Sequence, residues 1–180
     1  MKARQVKKST ALTVSLVGIM AATVECGKLA LSFLPNIEVV TLLIALYSYV
    51  FGWLGVLAAL IFVIIEPLIY GFGSWVIAYF IHWPAVAIIF LLLGRARIKN
   101  RIVLTSVAVL LTVLFGVLTS LVEIGLFSGF FENFFYRFGI YYMRGIPFYA
   151  AQTVTNAVLF PTLFPLLSAK LGEVKRKIGL

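Results

Sequence analysis

The sequence predicts an all-α integral membrane protein with six transmembrane helices, and three observations support this fold class. The 180-residue chain is 63% hydrophobic and 12% charged, whereas soluble domains are about 45–50% apolar and about 25% charged. Its apolar residues form long runs without the alternation of barrel strands, and only helices or closed barrels satisfy the backbone in lipid. Its cations lie at the ends of those runs. Residues 1–180 are therefore treated as a single transmembrane domain.

Six spans follow from the apolar runs, because a hydrocarbon core of about 30 Å takes roughly 20 helical residues to cross. The predicted spans are 10–33, 37–52, 54–70, 75–94, 102–130 and 147–169. They are separated by Leu34-Pro35-Asn36, Gly52-Trp53, Gly71-Phe72-Gly73-Ser74, the basic segment 95–101 and the mixed segment 131–146. The first run is too long for a signal peptide and lacks a small-residue cleavage pattern. The second and third spans are short, and a re-entrant pair there is the main alternative.

Charge predicts the orientation of the spans. Three clusters of four hold most of the 15 cations: Lys2, Arg4, Lys7 and Lys8 before the first span, Arg95, Arg97, Lys99 and Arg101 in one loop, and Lys170, Lys175, Arg176 and Lys177 in the tail. The positive-inside rule places all three clusters in the cytoplasm, so an even number of spans separates each pair. Four spans fit residues 10–94 and two fit 102–169. Both termini are therefore predicted to be cytoplasmic.

Polar side chains inside the predicted spans concentrate in the outer halves of those spans. A charge within the hydrocarbon costs roughly 2.5–3.5 kcal/mol on insertion scales, which invites a functional explanation. The inner halves of spans 2–6 are mostly aliphatic residues and Phe. This distribution predicts a pocket that is open to the outside and closed towards the cytoplasm by an apolar plug. The candidate substrate-binding residues are Glu25, Lys28, Glu38, Glu66, Tyr70, Trp75, Tyr79, Glu123, Arg144, Gln152 and Asn156.

Several of these residues also have a purely structural interpretation. Glu38 lies close enough to water for a solvated role, and the aromatic candidates also suit an interfacial belt. Glu25 and Lys28 are three residues apart on one helical face, where they can neutralise each other. Glu66 and Glu123 are harder to explain structurally, because each is embedded in an apolar run with no cation one turn away.

The sequence offers no catalytic machinery. With one histidine, His82, and one cysteine, Cys26, it supports neither a metal cluster nor a nucleophile–base pair, and no phosphate-binding or catalytic motif occurs. His82, beside Trp83-Pro84, more often represents a hydrogen-bonded helix residue than a ligand. We therefore predict no catalytic residue, no metal site, no cofactor and no enzymatic activity. The net charge of +9 does not indicate nucleic acid, because the cations flank spans instead of covering one solvated face.

An N-terminal basic segment, six spans in 180 residues, an outward pocket and no ATPase motif together resemble the S-components of energy-coupling factor (ECF) vitamin transporters. The segments Leu34-Pro35-Asn36-Ile37-Glu38, Phe51-Gly52-Trp53-Leu54-Gly55 and Tyr70-Gly71-Phe72-Gly73 resemble the family's region from loop 1 to loop 3. The resemblance implies a subunit of a prokaryotic plasma membrane that captures a vitamin or vitamin precursor outside. It also implies a transmembrane coupling protein and two cytoplasmic ATPase subunits as partners, which supply the energy for uptake.

The resemblance further implies a partner interface on span 1. Family members meet the coupling protein through a small-residue face of the Ala-x-x-x-Ala type, and small residues let helices approach closely. The nearest matches in this sequence are Ala11 with Ser15 and Gly18 with Ala22.

The ligand class and two other function classes stay open at this level. Outer carboxylates and aromatic residues suit a small ring with a cationic or donor-rich group, such as a thiamine-like, pyrimidine or pyridoxine-like compound. Lys28, Arg137 and Arg144 equally suit a carboxylate or phosphate. The competing functions are a membrane-embedded enzyme on a lipid-linked substrate, with Glu66 or Glu123 as general base, and a ligand-free structural membrane protein.

Overall fold

The computed structural model describes residues 2–34 and 36–180, with side chains described from residue 10 onward. Every regular element in this part of the chain is a helix: α1 (Lys2–Ala30), α2 (Val40–Phe51), α3 (Trp53–Tyr70), α4 (Trp75–Arg95), α5 (Arg101–Leu121), a π-helical segment (Val122–Phe127) and α6 (Phe134–Lys177). The predicted break at Pro35 and the side chains of the N-terminal cationic cluster lie outside the described residues.

The described helices are those of a multi-pass membrane protein. Five stretches are long and apolar enough to cross a membrane: Thr10–Ala30, Trp53–Tyr70, Trp75–Arg95, Arg101–Phe127 and Phe134–Lys177. The remaining helix, α2, has 12 residues and is about 18 Å long. It is shorter than a hydrocarbon core of about 30 Å.

Helix α6 departs most from the sequence prediction. The mixed segment 131–146 was expected to be a break, but α6 begins at Phe134 and runs for 44 residues, about 66 Å. Rings four residues apart stack along it, with centroids 6.3 Å apart for Phe134 and Phe138 and 6.1 Å apart for Phe138 and Tyr142. These contacts support a helix in a segment whose mixed composition resembles a loop. Pro147 lies within α6 and does not end it.

Helix α2 lies at the centre of the bundle. It packs against α1, α3, α4 and α6, and nine of its 12 residues are buried. Two glycines permit this close approach, since a Cβ at Gly55 would overlap the backbone of Tyr47 and Ser48, and a Cβ at Gly94 would overlap the carbonyl of Tyr49. The centre of the bundle is therefore built around a short, almost fully enclosed helix.

The two ends of the bundle differ in charge. At one end, which we call the cationic end, lie the segments 95–101 and 170–177. The Tyr49 hydroxyl donates to the Ile98 carbonyl at 2.9 Å and Lys175 Nζ donates to the Val50 carbonyl at 2.7 Å, so both segments are held against the last turn of α2. The connections 31–39 and 71–74 lie at the opposite end.

Candidate functional site

A cavity of about 250 Å³ lies towards the end of the bundle opposite the cationic end. Ligand pockets range from about 300 to 1,000 Å³, so this cavity has room for a small molecule only. All six α-helices and the α1–α2 connection contribute to its wall. The polar and aromatic residues in the wall are Lys28, Ser32, Asn36, Glu38, Thr41, Tyr70, Tyr79, His82, Trp83, Thr112, Phe115 and Gln152.

One side of the cavity is aromatic. His82 and Trp83 lie three and four residues after Tyr79 on α4, so each shares a helical face with it, and Phe115 of α5 meets them there. The centroids of the Tyr79 and Trp83 rings are 5.6 Å apart at 89°, and those of His82 and Phe115 are 4.7 Å apart. Trp83 is 5% exposed, and its Nε1 is buried without a hydrogen-bond partner. The wall therefore offers flat apolar surface on this side of the cavity.

A charged group, which we call the Lys28 cluster, joins α1 to α3. It consists of Glu25, Lys28, Glu66 and Tyr70. Lys28 forms an ion pair with Glu66, which is 1% exposed, and Lys28 Nζ lies 4.1 Å from the centroid of the Tyr70 ring. The Tyr70 hydroxyl donates to Glu25 Oε1 at 3.4 Å. The cluster thus places two carboxylates beside one ammonium group.

A second group, the Glu38 network, joins α2, α5 and α6. Glu38 Oε2 accepts from the Thr41 backbone N–H at 2.9 Å, and its Oε1 accepts from Thr41 Oγ1 at 2.6 Å. Asn156 Nδ2 donates to Glu38 Oε1 at 2.8 Å and to Thr112 Oγ1 at 3.0 Å. Because the first N–H groups of a helix have no partner within it, Glu38 satisfies one at the start of α2. α2 begins at Val40, three residues after the start of the predicted span 37–52.

The structure brings most of the sequence-predicted site residues together. Those in the cavity wall are Lys28, Glu38, Tyr70, Tyr79 and Gln152. Four others contact them directly: Glu25 and Glu66 in the Lys28 cluster, Trp75 with its ring centroid 4.9 Å from that of Tyr79, and Asn156 in the Glu38 network.

Two predicted site residues lie away from the cavity. Glu123 belongs to the π-helical segment, and Arg144 is exposed on the N-terminal part of α6. Neither is part of the cavity wall. Their separation from the site follows from the continuation of α5 into a π-helix and from the early start of α6.

Sequence reasoning missed several wall residues. Thr41 has only a weak signal, because a threonine hydroxyl within a membrane helix ordinarily bonds to a carbonyl of the preceding turn. Trp83 and Phe115 have none, since aromatic residues inside apolar spans look like ordinary core. His82 was expected to be hydrogen-bonded more often than to act as a ligand, and its ring instead packs against Trp83 and Phe115.

The small-residue face of α1 points away from the bundle. Ala11, Ser15, Gly18 and Ala22 are all exposed and share one side of the helix. α1 packs mainly against α3 and α2, and its buried apolar residues are Val17, Met20, Ala21 and Val24. A Cβ at Gly18 would meet nothing within 4 Å. This face is therefore open to the surroundings of the subunit.

Within the described residues, no group of three or more His, Cys, Asp and Glu side chains is arranged to hold a metal ion. No protein-family model, curated protein or solved structure matches this chain.

Proposed function

We propose that this chain is the substrate-capture subunit, or S-component, of an ECF-type ABC transporter. It binds a small vitamin or vitamin precursor from outside the cell and works with a transmembrane coupling protein and two cytoplasmic ATPase subunits. The observation that carries the proposal is a one-ended cavity. Its wall has the flat aromatic surface and the few polar groups that small-molecule sites use.

The core beneath the cavity supports capture over conduction. Phe90, Phe160 and Phe164 are each at most 1% exposed. Their ring centroids are 5.3–5.7 Å apart, and the three rings close the space between α4 and α6. A channel needs a continuous polar or hydrated path, whereas a capture subunit needs a pocket that is closed on one side.

The proposed orientation places the cationic end in the cytoplasm, in accord with the positive-inside rule. The cavity then faces outward. We further propose six crossings with both termini in the cytoplasm of a prokaryotic cell. The positions of the two ends of α2 favour a full crossing: Val40 and Thr41 line the cavity, and the last turn contacts Ile98 and Lys175 at the cationic end.

The proposed contact with the coupling protein is the exposed face of α1. Its small residues Ala11, Ser15, Gly18 and Ala22 allow a partner helix to approach closely. This face is separate from the cavity, so substrate and coupling protein can bind at the same time.

A binding experiment tests the proposal directly. The detergent-purified chain is screened by thermal shift and native mass spectrometry against B vitamins and their precursors, and one compound is expected to bind at about one per chain. Tyr79→Leu, in the cavity wall, should abolish binding. The matched control Tyr136→Leu changes a tyrosine that is 71% exposed and should leave binding intact. ATP-dependent uptake into cells should require co-expression of the coupling protein and both ATPases.

The competing functions predict different results. An enzyme would convert a bound compound, so the mass recovered after incubation would differ from the mass added. A structural protein would bind nothing in the panel, and that outcome would refute capture.

A further inference from the structure

We propose that the cavity selects a cationic or uncharged heteroaromatic ring that carries N–H donors, and that it rejects carboxylates and phosphate esters. This inference rests on the proposed capture function and narrows its substrate class. Four observations support it. The wall is rich in carboxylates, Lys28 is already paired with Glu66, Glu38 can accept one more hydrogen bond, and one side of the wall is aromatic.

The charge balance around the cavity is acidic. Three carboxylates, those of Glu25, Glu38 and Glu66, lie in its wall or in contact with wall residues, against the single ammonium of Lys28. The two arginines that offered an alternative are placed elsewhere. Arg137 donates to the backbone carbonyls of Ser128 and Gly129, and Arg144 is exposed outside the wall.

Among the residues whose side chains the structure describes, Lys28 is the one cation in the wall, and it already has a partner. Lys28 is paired with Glu66, whose side chain is almost fully buried. An anionic ligand would compete with Glu66 for the Lys28 charge, and drawing Lys28 away would leave the Glu66 carboxylate buried without its counter-charge, which is strongly unfavourable. It would also approach Glu38 from within the same cavity. Lys28 still has donor capacity for a neutral acceptor, such as a ring nitrogen or a hydroxyl, because an ammonium carries three N–H bonds.

Glu38 can receive one more donor. Its carboxylate accepts three hydrogen bonds from protein groups, two at Oε1 and one at Oε2. A carboxylate has about four lone-pair sites, so one remains at Oε2. Because Glu38 lines the cavity, a ligand amine or protonated ring nitrogen can use this site and add a charge-assisted hydrogen bond.

The aromatic wall suits the ring itself. Tyr79, Trp83 and Phe115 line the cavity, with the Tyr79 ring centroid 5.6 Å from that of Trp83 and 6.0 Å from that of Phe115. A positively charged ring gains cation–π attraction from aromatic faces. The volume of about 250 Å³ favours a single ring with short substituents, or two small linked rings.

Matched ligand pairs test the selectivity. Dissociation constants are measured by calorimetry on the purified full-length chain for thiamine and thiamine monophosphate, pyridoxamine and its 5′-phosphate, and nicotinamide and nicotinate. We expect binding within this set, with the uncharged or cationic member favoured at least about tenfold. If an anionic member binds as tightly as its partner or more tightly, the selectivity is refuted while capture stands. If no compound in this set or the wider vitamin panel binds, both proposals fail.

A charge series at one wall position gives an independent test. Gln152 lines the cavity, and Gln152→Lys should weaken binding of the cationic compounds thiamine and pyridoxamine by on the order of tenfold while Gln152→Glu strengthens it. Arg144→Gln, outside the wall, serves as the control and should leave the dissociation constant unchanged. Thermal melting of each ligand-free variant establishes that the fold is retained. Equal affinities for the Lys and Glu variants would overturn the proposal.

Discussion

Removing Lys28 should destabilise the protein more than neutralising its partner Glu66. The side chains are unequally buried, with Lys28 27% exposed and Glu66 1% exposed. Lys28→Met leaves a buried carboxylate without a counter-charge, and breaking a buried pair in this way costs about 3–5 kcal/mol. The partial exposure of Lys28 favours the lower end, about 3 kcal/mol.

Glu66→Gln should cost less, about 1–2 kcal/mol. The remaining Lys28 ammonium is partly hydrated, and it keeps its position over the Tyr70 ring. The amide oxygen of the new side chain can still accept from Lys28. The loss of unfolding free energy should therefore depend on which partner of the ion pair is removed.

The free energy of unfolding, measured by SDS titration of the protein in mixed micelles, gives both penalties. A third variant, Lys28→Met with Glu66→Leu, removes both charges and keeps apolar volume. It should recover most of the loss, because replacing a buried ion pair by packed apolar residues is often neutral or stabilising. Two results would refute this account of the pair: equal losses of unfolding free energy in the two single variants, or a loss in the double variant that equals the sum of the two single losses.

Three further predictions concern the packing and capping of the bundle. Gly94→Ala places a Cβ against the Tyr49 carbonyl and should lower the free energy of unfolding by about 1–3 kcal/mol, again measured by SDS titration. Asn156→Leu removes the amide donor to Glu38, and it should cost about 1–3 kcal/mol and weaken ligand binding in the calorimetric assay. Asn100→Ala removes the side-chain acceptor for two N–H groups at the start of α5, and it should lower the thermal midpoint through a loss of about 1 kcal/mol without changing ligand affinity.

Span positions were predictable because the length of an apolar run reports directly on how much helix a bilayer can hold. Their ends were less predictable. Residues 37–39 look like part of a span by composition, yet α2 starts only at Val40, and Glu38 accepts a hydrogen bond from the Thr41 N–H in the first turn. The segment before Pro147 looks like a loop by composition, yet its aromatic residues stack at helical spacing. In both places side-chain contacts, not hydropathy, decide the boundary.

The sequence predicted the residue types of the candidate site, but it did not predict which charged side chains pair with each other. Spacing suggested that Glu25 and Lys28 neutralise each other on one helical face, but the ion pair joins Lys28 to Glu66 on α3. The sequence also treated Glu66 and Glu123 alike, since each interrupts an apolar run. Only the rotation and packing of their helices place Glu66 in the Lys28 cluster and Glu123 outside the cavity.

The packed rings of Phe90, Phe160 and Phe164, which we call the apolar plug, would obstruct the exit of a captured ligand towards the cationic end. Opening a hydrated path towards the cationic end would expose Phe90, Phe160 and Phe164, which pack against one another. Hydrating a buried aromatic side chain costs about 1.5–3 kcal/mol, so these three alone would cost about 5–9 kcal/mol. At about 1.4 kcal/mol for each factor of ten, the opened state would be populated at less than about one part in a thousand. Efficient inward release therefore requires a partner that stabilises the opened state or a movement that leaves the plug intact. Either requirement fits a capture subunit that depends on a coupling protein and ATPases.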